Sequence, residues 1–256
     1  MSGANLAEHP VSLSVISHRQ GPWVGQMLTD LQRHCRLDQI QLTANLPDSL
    51  PDEGITDAVS VIENAKPRGF GDNHNRAFAR SGSPYFCIAN PDLRLSIDPF
   101  PELLAALQEP GVGAVAPLMV SPGGVPEDNA RRFPRPQDLL LKALGFADGR
   151  YALKDSLKGQ APFDVDWVAG MFIVFRKEAY AAVGGFDAGF HLYYEDVDLG
   201  ARLWKAGFKV QLVPSVRLVH DAQRASRRNL RYMRWHATGM GRYFAKHLGR
   251  LPRGGA

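Results

Sequence analysis

Cysteine is nearly absent: the 256-residue chain holds only Cys35 and Cys87. Two cysteines without a CxxC pair exclude a disulfide framework and fit a reducing cytosol. Long hydrophobic runs are missing too. The longest, near Trp167 to Phe175, falls far short of the roughly 20 residues that span a bilayer. Met1 to Pro10 shows neither a basic n-region nor an apolar h-region, so no signal peptide is expected. There is no internal repeat and no low-complexity segment. What is present is a globular composition, 45% hydrophobic and 22% charged, which excludes a disordered chain. A chain of this length makes one large domain or two small ones and needs no disulfide or metal to fold.

One absence is local. No Asp or Glu follows Asp221, whereas nine of the 30 Lys and Arg residues do, from Arg224 to Arg253. The rest of the chain keeps 21 basic against 26 acidic residues, a net of −5 hidden under the overall +4. A mildly acidic body with a basic tail suits an anionic partner: nucleic acid, a membrane surface or an anionic substrate.

The hydropathy pattern alternates strands and helices. Strands are expected at Val11–Ser17, Gln39–Thr43, Ala58–Ile62, Tyr85–Ala89 and Val112–Ala116. Helices are expected at Trp23–His34, Phe70–Arg80 and Pro101–Gln108 between them. This order predicts an α/β layered domain with a mostly parallel sheet. An irregular, Pro-rich stretch follows from Ser121 to Pro162, with a possible helix at Leu139–Leu144. Then come a strand at Val168–Phe175, a short helix at Lys177–Val183 and a helix from Asp198 to Ala206. Strands at Lys209–Val213 and Val216–His220 precede a last helix from about Ser226 to His247. In that helix Leu230, Met233, Ala237, Met240, Phe244 and Leu248 form an apolar stripe, with most arginines off it.

Four constellations carry possible chemistry. The densest is Tyr193-Tyr194-Glu195-Asp196-Val197-Asp198-Leu199, three carboxylates within four residues. Adjacent carboxylates near apolar groups repel unless a cation or proton shares the site, which suggests acid–base or metal chemistry. The same residues also suit a helix N-terminus, where the macrodipole favours acids. Asn90-Pro91-Asp92 follows a strand, at the end where open α/β sheets bind ligands. Asp92 there suits Mg²⁺ or Mn²⁺, although an Asx-Pro turn is the commoner reading. The segment Asn64 to Asn75 holds Gly69-Phe70-Gly71, where glycine lets backbone approach a phosphate or base. It is not the dinucleotide fingerprint, because the third glycine would fall on His74. His220 closes a strand, and a lone histidine there is more often structural than a ligand.

Taken in order, these motifs resemble the GT-A family 2 glycosyltransferases. The most similar branch is the bacterial one that includes rhamnosyltransferases of O-antigen and other surface polysaccharides. The resemblance covers nearly the whole chain. Its most specific part is Val183-Gly184-Gly185-Phe186-Asp187 followed by the Tyr193 to Leu199 cluster, and His220 to Ser226 with the basic helix also resembles that branch. It implies a Rossmann-like three-layer sandwich over residues 1–222. A nucleotide-sugar half covers about 10–118, an acceptor half about 160–222, and a basic helix and tail occupy 223–256. It implies Asp196 as general base with Glu195 in support, and Asp92 with His220 on Mg²⁺ or Mn²⁺. Asn90-Pro91-Asp92 stands where the family has DxD. Nucleotide-sugar contacts are expected from Ser17, Asn45, Arg68, Gly69, Asp72, Asn75, Asn90, Asp92 and Gly170. Asp198 is expected only to start a helix.

The implied reaction is inverting sugar transfer from a nucleotide diphosphate, with dTDP-rhamnose the first choice of donor. The acceptor would be a saccharide or a lipid-linked saccharide, at a cytoplasmic site with peripheral contact to an anionic membrane through the basic helix. One departure bears on the donor: where many relatives carry Asp-Asn-Gly-Ser, this chain has Leu42-Thr43-Ala44-Asn45-Leu46-Pro47 and lacks the base-contacting Asp. Three rivals stand beside this reading. A sugar-phosphate nucleotidyltransferase would need a Gly-rich loop where Ser17-His18-Arg19-Gln20-Gly21-Pro22 lies. An inactive binding module would lack Asp92 or Asp196. A nucleic-acid binder would want more tail aromatics than Tyr232, Trp235, Tyr243 and Phe244, so no nucleic acid is expected.

Overall fold

The computed structural model describes residues 8–47, 49–137, 160–221, 230–247 and 250–252. Its first half runs β1 (Glu8–Ser17), α1 (Gly21–His34), β2 (Arg36–Ala44), β3 (Val59–Glu63), α2 (Phe70–Phe78) and β4 (Tyr85–Ala89). Next come β5 (Leu93–Arg94), α3 (Phe100–Ala106), β6 (Val112–Val120) and β7 (Ala130–Arg131). The second half holds β8 (Phe163–Asp164), β9 (Trp167–Val168), β10 (Phe172–Arg176), α4 (Lys177–Ala182), α5 (Glu195–Lys205), β11 (Lys209–His220) and α6 (Leu230–His247). The possible helix at Leu139–Leu144 and the start of the last helix near Ser226 lie outside the described residues.

Among the described residues, nine strands make one sheet in the order β3-β2-β1-β4-β10-β6-β11-β5, with β8 also on β11. Strands β1 to β4 run parallel, as do β6 and β11. The sheet departs from all-parallel at its centre, where β10 lies antiparallel between β4 and β6. Both expected halves therefore feed one sheet.

Two expected strands are redrawn. The run Val168–Phe175 breaks at residues 169–171. There the backbone leaves the sheet to bond elsewhere, and β9 pairs with β7 in a separate ribbon. Conversely, Lys209–Val213 and Val216–His220 form one strand. Its register shifts between Val213 and Arg217, at Pro214, which has no N–H for the ladder.

Helices cover both sheet faces. Val11, Leu13 and Val15 of β1 meet Met27, Leu28 and Leu31 of α1 and Phe100 and Leu103 of α3 in one core. The other core joins Phe86, Ile88 and Phe175 to Ala77 of α2, Tyr180 of α4 and Leu199 and Leu203 of α5. Each such fully buried side chain stabilises the fold by about 1.5–3 kcal/mol. A third cluster, with Phe190, Val197, Ala201 and Tyr243, seats α6 on α5.

The docked face of α6 follows the expected stripe only in part: Phe244 packs on that cluster and Met240 is half-buried, while the side chains of Leu230 and Leu248 lie outside the described residues. Gly239, Tyr243 and His247 are buried, whereas Met233 is 62% exposed and Ala237 is exposed. Counting apolar residues missed the reason. Gly239 allows close approach, since a Cβ there would lie 2.6 Å from the Tyr193 carbonyl oxygen. His247 goes inward because its Nε2 bonds Asp198 Oδ1 at 2.8 Å.

Candidate active site

The carboxylate cluster sits at the mouth of α5. Tyr193 and Tyr194 both adopt left-handed backbone, with φ of 72° and 68°, and Glu195 opens the helix. Such non-glycine residues cost about 1–3 kcal/mol each and persist only when neighbours hold them. Here α6 does so: the Tyr194 ring packs on Tyr243 and His236, with centroids 5.6 Å and 5.2 Å away. The three carboxylates then part company.

Asp198 is buried and fully engaged. Arg202 Nε, Lys246 Nζ and His247 Nε2 lie 2.7, 2.7 and 2.8 Å from its oxygens. Burial pushes its carboxyl up, but Arg202, Lys246 and His247 outweigh that and hold it below the ordinary value. Asp198 thus does more than start a helix: it anchors α6 to α5.

Glu195 is 5% exposed, and its Oε2 is buried without a hydrogen-bond partner. Burial and the neighbouring Asp196 charge raise its carboxyl to about 8. Asp196 is half-buried and is also raised by burial, against the pull of the Val197 and Gly170 N–H groups. Those donors reach its Oδ1 and Oδ2 at 2.8 Å and 3.2 Å. The two N–H donors favour the charge on Asp196, whereas Glu195 keeps a buried oxygen without a partner. Val168, Ile173, Phe175 and Leu199 line the space behind Asp196 with apolar side chains.

Asp92 follows the end of β4. Its Oδ2 lies 3.4 Å from His220 Nε2, and its Oδ1 is buried without a partner. His220 Nδ1 turns to Glu127 Oε2 at 2.6 Å. The break at residues 169–171 links this pair to the cluster. Gly170 donates its N–H to Asp196, and the next residue, Met171, accepts the Asn90 N–H at 2.7 Å. One short bend therefore holds both the Asn90-Pro91-Asp92 turn and the Asp196 carboxylate.

The other expected contacts divide into two groups. Arg68 and Asp72 form an exposed i,i+4 ion pair of 2.8 Å. Gly69 caps α2 against residue 191, where a Cβ would lie 2.9 Å from the His191 oxygen, so the Gly-Phe-Gly loop docks beside the cluster. In contrast, Ser17, Asn45 and Asn75 turn inward. Ser17 Oγ bonds the Ser49 carbonyl. Asn45 Oδ1 accepts from Asn64 Nδ2 and the Arg68 N–H, and its Nδ2 meets His18 and the Arg68 carbonyl. Asn75 clamps Phe186 through both N–H and C=O and accepts the Tyr180 hydroxyl at 2.7 Å. These three side chains hydrogen-bond neighbouring loops.

Sequence reading missed Glu127, Met171 and Gly239. Glu127 is 93 residues from His220 and sits in the irregular stretch, where no periodicity marks it. No group of three or more His, Cys, Asp or Glu with metal-holding geometry occurs among the described residues. Asp92 and His220 form a pair, which suits a divalent cation that takes one or two protein ligands and completes its shell from phosphate oxygens and water. A separate groove of about 430 Å³, between α1 and residues 51–53, contains none of these groups.

Residues 92–245 match a family described as glycosyl transferase family group 2. The chain is 29% identical over 226 residues to an N-acetylglucosaminyl-diphospho-decaprenol L-rhamnosyltransferase of Mycobacterium tuberculosis (strain CDC 1551 / Oshkosh), covering 75% of this chain and 73% of that one. It is 29% identical over 191 residues to the rhamnosyltransferase WbbL of Escherichia coli (strain K12), covering 70% of each. In three dimensions it is similar to GalNAc-T7, solved with UDP, GalNAc and Mn²⁺. The TM-score is 0.65 at 15% identity, over 86% of this chain but only 44% of that one.

Proposed function

The chain belongs to glycosyl transferase family group 2, and from that premise we propose that it moves L-rhamnose from dTDP-rhamnose, with inversion, to a hydroxyl of a saccharide or lipid-linked saccharide. It is a glycosyltransferase; the donor, acceptor and stereochemistry are our reading. One observation carries it: the 170–171 bend joins the Glu195–Asp196 pair to the Asp92–His220 pair. An acceptor base and a diphosphate-binding group are thus built on one support. The rhamnosyltransferase names of two relatives support the choice of sugar.

Asp196 removes the proton from the acceptor hydroxyl, which is a weak nucleophile until a base takes it. Its two backbone donors hold the carboxylate in place. Glu195, buried beside it with its carboxyl raised by burial and by the Asp196 charge, supports that base. Asp92 and His220 would hold Mg²⁺ or Mn²⁺; when bound, the cation offsets the charge growing on the diphosphate leaving group. Arg68, Gly69, Asp72 and Asn90 border the nucleotide side, and Gly170 acts by holding Asp196. Ser17, Asn45 and Asn75 act through the loops they pin.

The location we propose is cytoplasmic, with peripheral contact at an anionic membrane. Among the described residues no helix is long and apolar enough to cross one. Arg242 and Lys246 are engaged by Asp187 at 3.1 Å and 2.8 Å, so the contact rests instead on exposed Met233 and Arg234. Liposome flotation tests this, since binding unchanged by high salt and by neutral lipid would refute an electrostatic contact. For the reaction, the test is a mass-spectrometric screen of dTDP-, UDP- and GDP-sugars with Mg²⁺ or Mn²⁺. Transfer or hydrolysis of dTDP-rhamnose is expected. Failure of every sugar nucleotide to bind or turn over would overturn the reading.

A further inference from the structure

We propose that Glu127 is a positioning residue that orients His220 toward the diphosphate-bound cation; this rests on the reading that Asp92 and His220 hold a divalent metal. Glu127 is delivered by a tight return after β6. Its N–H bonds the Met119 carbonyl at 2.8 Å, and Ser121 N–H bonds the Val125 carbonyl at 2.8 Å. Asn129, 1% exposed, locks the same return: its Oδ1 accepts the Met119 N–H at 3.2 Å and its Nδ2 donates to the Pro117 carbonyl at 2.9 Å. Strand β6 pairs with β11 up to Val120–Val219. The return therefore places Glu127 beside His220, the residue after that last pair.

The two contacts of the imidazole are unequal. Nδ1 meets Glu127 Oε2 at 2.6 Å, a charge-assisted hydrogen-bond distance. Nε2 stands 3.4 Å from Asp92 Oδ2, beyond a good hydrogen bond. With Nδ1 held by Glu127, Nε2 is the ring nitrogen that faces the Asp92 carboxylate, whose Oδ1 is buried and unpartnered. A carboxylate on the far nitrogen of a ligating histidine fixes its tautomer and ring angle and raises its basicity. Glu127 and Asp92 lie 35 residues apart in sequence, so nothing short-range ties them, and the hairpin geometry supplies a structural reason for Glu127 to face this ring.

The experiment is Mn²⁺ binding to the full chain, read from the free-ion EPR signal, with MnCl₂ alone and with MnCl₂ plus dTDP. Wild type is compared with Glu127→Ala, Glu127→Gln and His220→Ala. Glu127→Ala should weaken Mn²⁺ binding about 10- to 100-fold. Glu127→Gln should lose less, because its amide oxygen still accepts the Nδ1–H, and it serves as the folded control. Nitrogen-15 spectra should show His220 protonated at Nδ1 in the Mg²⁺-loaded wild type and a mixed tautomer in Glu127→Ala. Wild-type affinity in both Glu127 variants, with His220→Ala weakened, would overturn the role of Glu127 and leave the metal reading intact. No Mn²⁺ binding by wild type, with or without dTDP, would overturn the metal reading and this inference with it.

Discussion

Replacing Asp198 with Ala should unfasten the C-terminal helix. The carboxylate is 0% exposed and receives three donors at 2.7–2.8 Å: Arg202 from its own helix, and Lys246 and His247 from α6. Removing one partner of a buried pair costs about 3–5 kcal/mol, because the remaining charge is stranded. Two features push the value to the low end. Lys246 keeps Asp187 at 2.8 Å, and Arg202 keeps the Val183 and Gly185 carbonyls. A loss of about 3 kcal/mol in a domain of this size lowers Tm by about 6–12 °C. Thermal melts followed by circular dichroism measure it, with urea midpoints as a check.

The pH dependence has a definite sign. A lowered carboxyl stabilises the fold fully above its unfolded pKa of about 3.9 and loses that contribution as pH falls toward the folded value. The gap between wild type and Asp198→Ala should therefore be widest near neutrality and narrow below about pH 4. The variant should also lose kcat, because α6 supports the left-handed Tyr193–Tyr194 turn in front of Asp196. A wild-type Tm for Asp198→Ala, or a gap unchanged down to pH 3, would refute the anchor.

Three other outcomes follow from the site. Asp196→Asn should lower kcat by about 10²–10⁴-fold with donor binding retained, measured by steady-state kinetics and dTDP titration; retained transfer would shift the base to Glu195. Glu195→Gln should flatten the pH dependence of stability. The raised carboxyl favours the fold below its unfolded pKa, and that contribution is lost as pH rises through about 8. Urea midpoints between pH 5 and 8 should then fall more steeply for wild type than for the variant. Gly239→Ala puts a methyl 2.6 Å from the Tyr193 oxygen. It should cost about 1–3 kcal/mol by overpacking, and it should lower kcat more than donor affinity; an unchanged Tm and kcat would show that α6 yields freely.

Much of this was legible in the chain because it is local. Strand and helix periodicity depends on near neighbours, so the βαβ order and the Tyr85–Ala89 strand were readable from the pattern, whereas α5 starts at Glu195, three residues before the expected Asp198. The Gly-Gly-Phe-Asp turn and the carboxylate cluster pointed to the family because they are contiguous. What each carboxylate does was not readable. Glu195, Asp196 and Asp198 look alike in sequence, yet one is buried with an unpartnered oxygen, one is held by backbone N–H groups, and one is an ion-paired anchor. Burial and partners decide that, and those partners come from Gly170 and Lys246, on other elements.

The same reason governs the remaining surprises. The basic helix reads as a contact for an anionic membrane, but Asp187 and Asp198 pair with two of its cations across 48 to 59 residues of chain. Asn45 and Asn75 read as ligand contacts, and the structure shows that they also hydrogen-bond the packed loops around them. By itself the sequence determined the family, the order of elements and the motifs, since each is written in adjacent residues. Only the tertiary structure decided which polar groups are spent on the fold and which remain for chemistry, because a hydrogen bond between distant segments leaves no local trace.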